Sequence, residues 1–145
     1  MSEQIEVLYV GYDEPWLSMP ILGQLRQNTD MAAVYVSGDN FPFAKQLLLA
    51  PAQPFRAVVL HMLAGCHELG HHRETDENQS TGLRRAEILR EQGLNIPIVL
   101  ISNSVGLLPK VVHDYDRRVK KAHVVFVGYD NGFQDIVDVV RRVVG

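Results

Sequence analysis

Phe55-Arg56-Ala57-Val58-Val59-Leu60-His61-Met62 is the stretch on which the fold turns. A strand covered on one side only alternates apolar and polar residues, so the unbroken run Ala57 to Leu60 expects cover on both faces. The run ends in an imidazole, His61. Four further runs read the same way: Val7-Leu8-Tyr9-Val10, Ala33-Val34-Tyr35-Val36, Ile98-Val99-Leu100-Ile101 and Val124-Val125-Phe126-Val127. Stretches of helical spacing lie between them, so the chain reads β-α five times over. This predicts an α/β fold, a doubly wound five-stranded parallel sheet whose strand C-termini form the working edge. His61 falls on that edge.

The connecting helices are placed by their caps and stripes. Ser18 is an acceptable N-cap for a first helix with Pro20 in its first turn, which leaves Ile21, Leu22 and Leu25 facing the sheet. A second helix spans about Pro42 to Ala50, stopped by Pro51 and Pro54. Ser80 or Thr81 can cap a third, with Leu83, Ala86 and Leu89 on one face and Gly93 suited to the left-handed position after its end. A fourth helical region covers about Leu107 to Val119. The last helix, Phe133 to Val144, puts Phe133, Ile136, Val137, Val140 and Val144 on one stripe.

The 145 residues, 46% hydrophobic, suffice for one domain over residues 1–145 with a full core. A net charge of -3 and dispersed basic residues give no electrostatic footprint for nucleic acid. The single cysteine, Cys66, excludes an internal disulfide. Met1-Ser2-Glu3-Gln4 lacks the charged-then-apolar pattern of a signal peptide, and no apolar run reaches the roughly 18 residues of a spanning helix. A cytoplasmic location and no membrane contact are expected.

From Gly65 to Gln79 the chain is polar, rich in histidine and without apolar periodicity, an enlarged loop after the third strand. Such loops at the strand C-termini collect functional variation. Within it, His67-Glu68-Leu69-Gly70-His71 spells the H-E-x-x-H of zinc peptidases, which on a helix presents two zinc ligands one turn apart and a glutamate base. The extended form of that motif would need Gly and His where Glu74 and Glu77 stand. Glu91 is the candidate third ligand of the shorter form, but it belongs to a helix that docks on the sheet, and Gly65 and Gly70 weaken a helix around the motif. A non-catalytic site is the other reading: Cys66, His67, His71 and His72 supply the nitrogen and sulfur ligands that suit zinc, nickel or copper. Around the same edge stand Gly11, Ser37-Gly38, Ser102-Asn103-Ser104 and Gly128, small residues that let backbone N–H groups approach an anionic ligand, beside Tyr12 and Trp16 as stacking surfaces.

In order and spacing these pieces resemble the receiver domain of two-component response regulators, over nearly the whole chain. Tyr12-Asp13-Glu14-Pro15 looks like the acidic turn after the first strand of that family, and Phe55 to Met62 looks like its third strand, which ends in the phospho-accepting aspartate. Ile96-Pro97-Ile98-Val99-Leu100-Ile101-Ser102 looks like its fourth strand with a terminal hydroxyl, and Phe126-Val127-Gly128-Tyr129 like its fifth. The resemblance implies a flavodoxin-like, receiver-like three-layer sandwich that signals through an attached output domain or a partner protein, with the regulatory domain of a transcription regulator or sensor as its setting.

The residues depart from the family where its chemistry resides. His61 stands at the acceptor position, Tyr12 at the first acidic position, and Gly128 or Tyr129 where a lysine belongs; Asp13, Glu14 and Ser102 remain. Magnesium prefers oxygen ligands, and aspartyl phosphorylation needs the carboxylate itself. The expectation is a degenerate pseudo-receiver, independent of phosphorylation, with no catalysis and no resident cofactor. His61 facing Asp13 would be either a satisfied polar core residue or an imidazolium that titrates near neutrality. Homodimerisation is expected through the last helix and the preceding element, with Asp135, Asp138, Arg141 and Arg142 pairing across a two-fold axis around Val139.

Overall fold

A computed structural model describes residues 4–11, 15–61, 81–102, 122–126 and 132–145. Among them are strands β1 (Ile5–Val10), β2 (Met31–Val36), β3 (Ala57–His61), β4 (Ile98–Ser102) and β5 (Ala122–Phe126). Helices α1 (Pro15–Gln27), α2 (Phe41–Leu48), α3 (Thr81–Glu91) and α4 (Gly132–Val144) join or follow them. The described strands form one parallel sheet in the order β2-β1-β3-β4-β5. The first strand in the chain is thus an inner one, and β2 forms an outer edge.

Strand residues alternate between two cores, as the pleat requires. Leu8, Val10, Val58, Leu60, Ile98 and Leu100 pack on Phe41, Ala44 and Leu48 of α2 and on Ala86 and Leu89 of α3. Val7, Tyr9, Val59, Val99 and Ile101 pack on Ile21, Leu22 and Leu25 of α1 and on Ile136, Val137 and Val140 of α4. This is the three-layer sandwich that continuous apolar strands call for, with almost every side chain of β1 and β3 withdrawn from water.

Several boundaries differ from the sequence reading for physical reasons. Helix α1 starts at Pro15, whose fixed φ and missing N–H suit a first turn, and not near Ser18. Pro20 therefore lies inside the helix and removes one intrahelical bond, which packing of Ile21, Leu22 and Leu25 outweighs. Helix α2 ends at Leu48, ahead of Ala50, because a residue preceding proline is pushed out of the helical region. Strand β5 begins two residues earlier than expected, at Ala122. Gly93 follows α3 at φ 100°, the conformation that glycine adopts without penalty. There Gly93 N–H donates to Arg90 O and Leu94 N–H to Leu89 O, which closes the helix end as a Schellman motif. The fourth helical region, about 107–119, and the enlarged loop at 65–79 lie outside the described residues. No described helix is long and apolar enough to cross a membrane.

Candidate functional site

The C-terminal edge of the sheet is organised around β1 and β3. Parity places Tyr9 and His61 on one face: Tyr9 pairs with Val59 across the ladder, and His61 is the next β3 residue on that side. The two side chains meet one pleat apart, with Tyr9 Oη and His61 Nε2 2.6 Å from each other. The phenol and the imidazole thus satisfy one another, and which of them donates is set by the tautomer of the ring. The rings tilt against each other at 5.6 Å between centroids, and Tyr35 of β2 extends the row, 5.7 Å from Tyr9.

Both residues are withdrawn from water, Tyr9 completely and His61 to 6% exposure. Burial disfavours the charged imidazolium and pushes the His61 pKa down from 6.5 to about 4. The expectation of a histidine that titrates near neutrality is therefore corrected: at neutral pH His61 is a neutral core residue. Replacing Tyr9 by Phe removes the hydrogen-bond partner of a buried nitrogen while keeping the ring, and should lower the unfolding free energy by about 1–3 kcal/mol. Urea denaturation of Tyr9→Phe tests this; unchanged stability would mean that the hydroxyl is dispensable.

Of the expected pocket, His61 and Ser102 are among the described residues. Ser102 ends β4, next to Phe126 on β5 and one residue beyond Ile101, the partner of His61. Tyr12, Asp13, Glu14, Gly128 and Tyr129 lie outside the described residues. So do Cys66, His67, His71 and His72; among the described residues no group of three or more His, Cys, Asp or Glu could hold a metal. Gly11 N–H donates to Val36 O, and the Ser37 hydroxyl donates to Asp39 Oδ1 at 2.5 Å, so these small residues tie down the β2 end of the edge.

Sequence reasoning passed over Arg85. This α3 residue is 1% exposed, yet it carries a guanidinium. Its Nη2 donates to Gly38 O at 2.7 Å, and its Cζ sits 4.9 Å from the centroid of the Phe41 ring. Arg85 thus fastens α3 to the turn between β2 and α2, beside the same sheet edge. The signal was present: Arg85 falls on the helical stripe of Ala86 and Leu89, where an apolar residue is expected.

One residue of the expected dimer face, Arg141, is engaged within its own chain. Arg141 Nε donates to Asp30 Oδ2 at 2.8 Å, its Nη2 to Asp30 Oδ1 at 3.1 Å and to Asn28 Oδ1 at 2.8 Å. Asp138 lies 3.6 Å away on the same helix. The Arg141 guanidinium holds the Asp30 carboxyl below the usual range, and Asp30 in turn raises Arg141. Val139, expected at the centre of an interface, packs partly against the core beneath α1 and α4, as does Val143. Arg142 and Asp138 are exposed, whereas the side chain of Asp135 falls outside the described set. Arg141 thus holds α4 to the α1–β2 connection.

No family model matches the sequence, and no curated protein is significantly similar to it. Solved structures are similar in fold. A DNA-binding response regulator of the LuxR family from Staphylococcus aureus superposes with a TM-score of 0.67 at 16% identity, covering 96% of this chain and 98% of that one. The signal receiver domain of the response regulator NarL from Mycobacterium tuberculosis gives 0.69 at 19% identity, with 98% and 97% covered. A CheY-like receiver domain protein from Methanospirillum hungatei JF-1 gives 0.64 at 8% identity, with 98% and 94% covered. The chain has the receiver-domain fold, as the order and spacing of its strands imply.

Proposed function

We propose that the chain is a receiver-like signalling domain that works without aspartyl phosphorylation, through contacts with a partner protein or an attached output domain. The observation that carries this reading is the residue at the C-terminal end of β3. A phospho-acceptor there must be a carboxylate within reach of phosphate and metal. His61 is neutral, buried and hydrogen-bonded to Tyr9, so it offers neither the nucleophilic oxygen nor a hard ligand. Magnesium takes oxygen ligands in near-octahedral geometry, and an imidazole facing inward to a phenol does not fit it. No step through magnesium is derived for this chain.

On this reading the Tyr9–His61 pair fills the volume under the edge and fixes β1 against β3 in one arrangement. The domain then acts as a constant recognition surface. Regulation of transcription is the favoured setting, supported by the likeness to a DNA-binding regulator of the LuxR family.

Incubation with acetyl phosphate, and separately with beryllofluoride and magnesium, should leave the intact mass and the amide NMR spectrum of the chain unchanged. A stable phosphoryl adduct, on Asp13 or elsewhere along the edge, would overturn the phosphorylation-independent reading.

A further inference from the structure

We infer that two copies of this chain join through the outer edge of β2, which pairs antiparallel with its own copy about a two-fold axis at Val34. The inference is independent of how the β3 edge signals. It starts from the direction of the backbone groups. Gly11 N–H donates to Val36 O and Ile5 N–H to Asp30 O, so the even-numbered residues of β2 face β1. The odd-numbered residues Met31, Ala33 and Tyr35 then direct their N–H and C=O groups away from the sheet, because alternate residues of a parallel strand face opposite neighbours. Met31 N–H is taken by Asn28 O. Among the described residues, only Arg26, at Ala33 O, bonds the outward groups of Ala33 and Tyr35, which form the open stretch of the edge.

That stretch complements itself. With Val34 opposite Val34 of a second copy, Ala33 lies opposite the second copy's Tyr35, and each such pair exchanges two hydrogen bonds, four in all by the ladder geometry of antiparallel strands. The axis passes through the one exposed large apolar residue of the strand: Val34 is 44% exposed, and in this register it meets its own equivalent at the closer, non-hydrogen-bonded spacing. Ala33 and Tyr35 stack across the other face. A two-fold axis requires one patch that matches itself, and this one does so without charge repulsion, since Met31-Ala32-Ala33-Val34-Tyr35-Val36 carries no charged residue and no proline.

Proteins guard open edges with charge, proline or short strands. Here the guard comes from outside the strand. Arg26 of α1 donates to Ala33 O from Nε and Nη2, both at 3.4 Å, long and therefore weak bonds. A carbonyl has two lone pairs, so Ala33 O can keep Arg26 while accepting from the second copy, or release it. Arg26 thus acts as a gatekeeper that limits the affinity. An edge junction alone buries less than the roughly 1,200 Å² of a stable specific interface, so the association is weak and concentration-dependent.

Sedimentation equilibrium of the full chain up to about 1 mM, the regime of such weak contacts, should show a monomer–dimer equilibrium. Val34→Lys, at an exposed position, should raise the dissociation constant at least tenfold with an unchanged circular dichroism spectrum. Arg26→Ala should lower it several-fold. Hydrogen exchange should show the amides of Ala33 and Tyr35 gaining protection with concentration, while those of Ala32 and Val34, bonded to β1, are protected throughout. A monomer at every concentration, a dimer indifferent to Val34→Lys, or no concentration dependence at Ala33 and Tyr35 would overturn the interface. Val34→Thr keeps the branched shape and serves as the control should the lysine variant misfold; a dimer that loses no affinity in it as well overturns the role of the Val34 contact.

Discussion

Taking the protein from about pH 7 down to about pH 4 is expected to remove roughly 3 kcal/mol of folding free energy through His61 alone. The imidazole titrates at about 4 in the folded chain, against an ordinary value of 6.5, because burial excludes its charged form. Between those two values the unfolded chain binds the proton and the folded chain does not, so acid favours unfolding. The contribution is complete above about pH 6.5 and is lost as the pH falls towards 4. For a domain whose total stability is about 5–15 kcal/mol, the loss is a large share. Urea denaturation across this range, in the wild type and in His61→Gln, isolates the effect from carboxylates that titrate nearby. The glutamine amide can accept from Tyr9 but does not titrate, so the wild type should lose stability more steeply with acid. Equal slopes in the two proteins would show that His61 is protonated or exposed in the native state.

Arg85→Ala should cost about 2–4 kcal/mol, from a buried carbonyl left without its donor, a lost cation–π contact and the emptied volume. The substitution empties a site only 1% exposed, strips the donor from Gly38 O and removes the cation over Phe41. Arg85→Lys should recover only part of this, since an ammonium lacks the planar fork that lies over an aromatic ring and bonds a carbonyl at once. Thermal and urea unfolding of both variants measure the difference. If the alanine variant stays within about 0.5 kcal/mol of wild type, Arg85 behaves as an ordinary surface residue and the link between α3 and the β2–α2 turn is not a stabilising one.

What the sequence made legible was the part governed by periodicity. Unbroken runs such as Ala57 to Leu60 and Ile98 to Ile101 announce strands covered twice, and the stripe of Ile136, Val137 and Val140 announces the last helix. His61 could be placed on the strand edge by counting alone. Its partner could not, because the meeting of Tyr9 with His61 depends on the register of β1 against β3, which spans 52 residues of chain. Nor could its ionisation, since the sequence suggests an acid, Asp13, on the same edge but not the depth of burial that decides the pKa. The partners of Arg141 on α4 were hidden for a related reason. Asp138 and Arg141 look like a charged surface awaiting a second copy, and only the folded chain shows Asp30 and Asn28 brought to Arg141 from more than a hundred residues away.

The strand order β2-β1-β3-β4-β5 has a consequence for how the chain comes together as it is made. β1 emerges first and becomes an interior strand, so the sheet grows from it in two directions. β1, α1 and β2 are complete within residues 5–36, and β3, β4 and β5 then add in turn on the other side of β1. The face beneath α1 remains unfinished until α4 docks, since Ile21, Leu22 and Leu25 share their core with Ile136, Val137 and Val140. A nascent chain halted before residue 132 would hold most of a sheet with one apolar side open to water. Docking of α4 therefore converts a sticky intermediate into a closed domain, and it is before that step that a chaperone would have the most to shield.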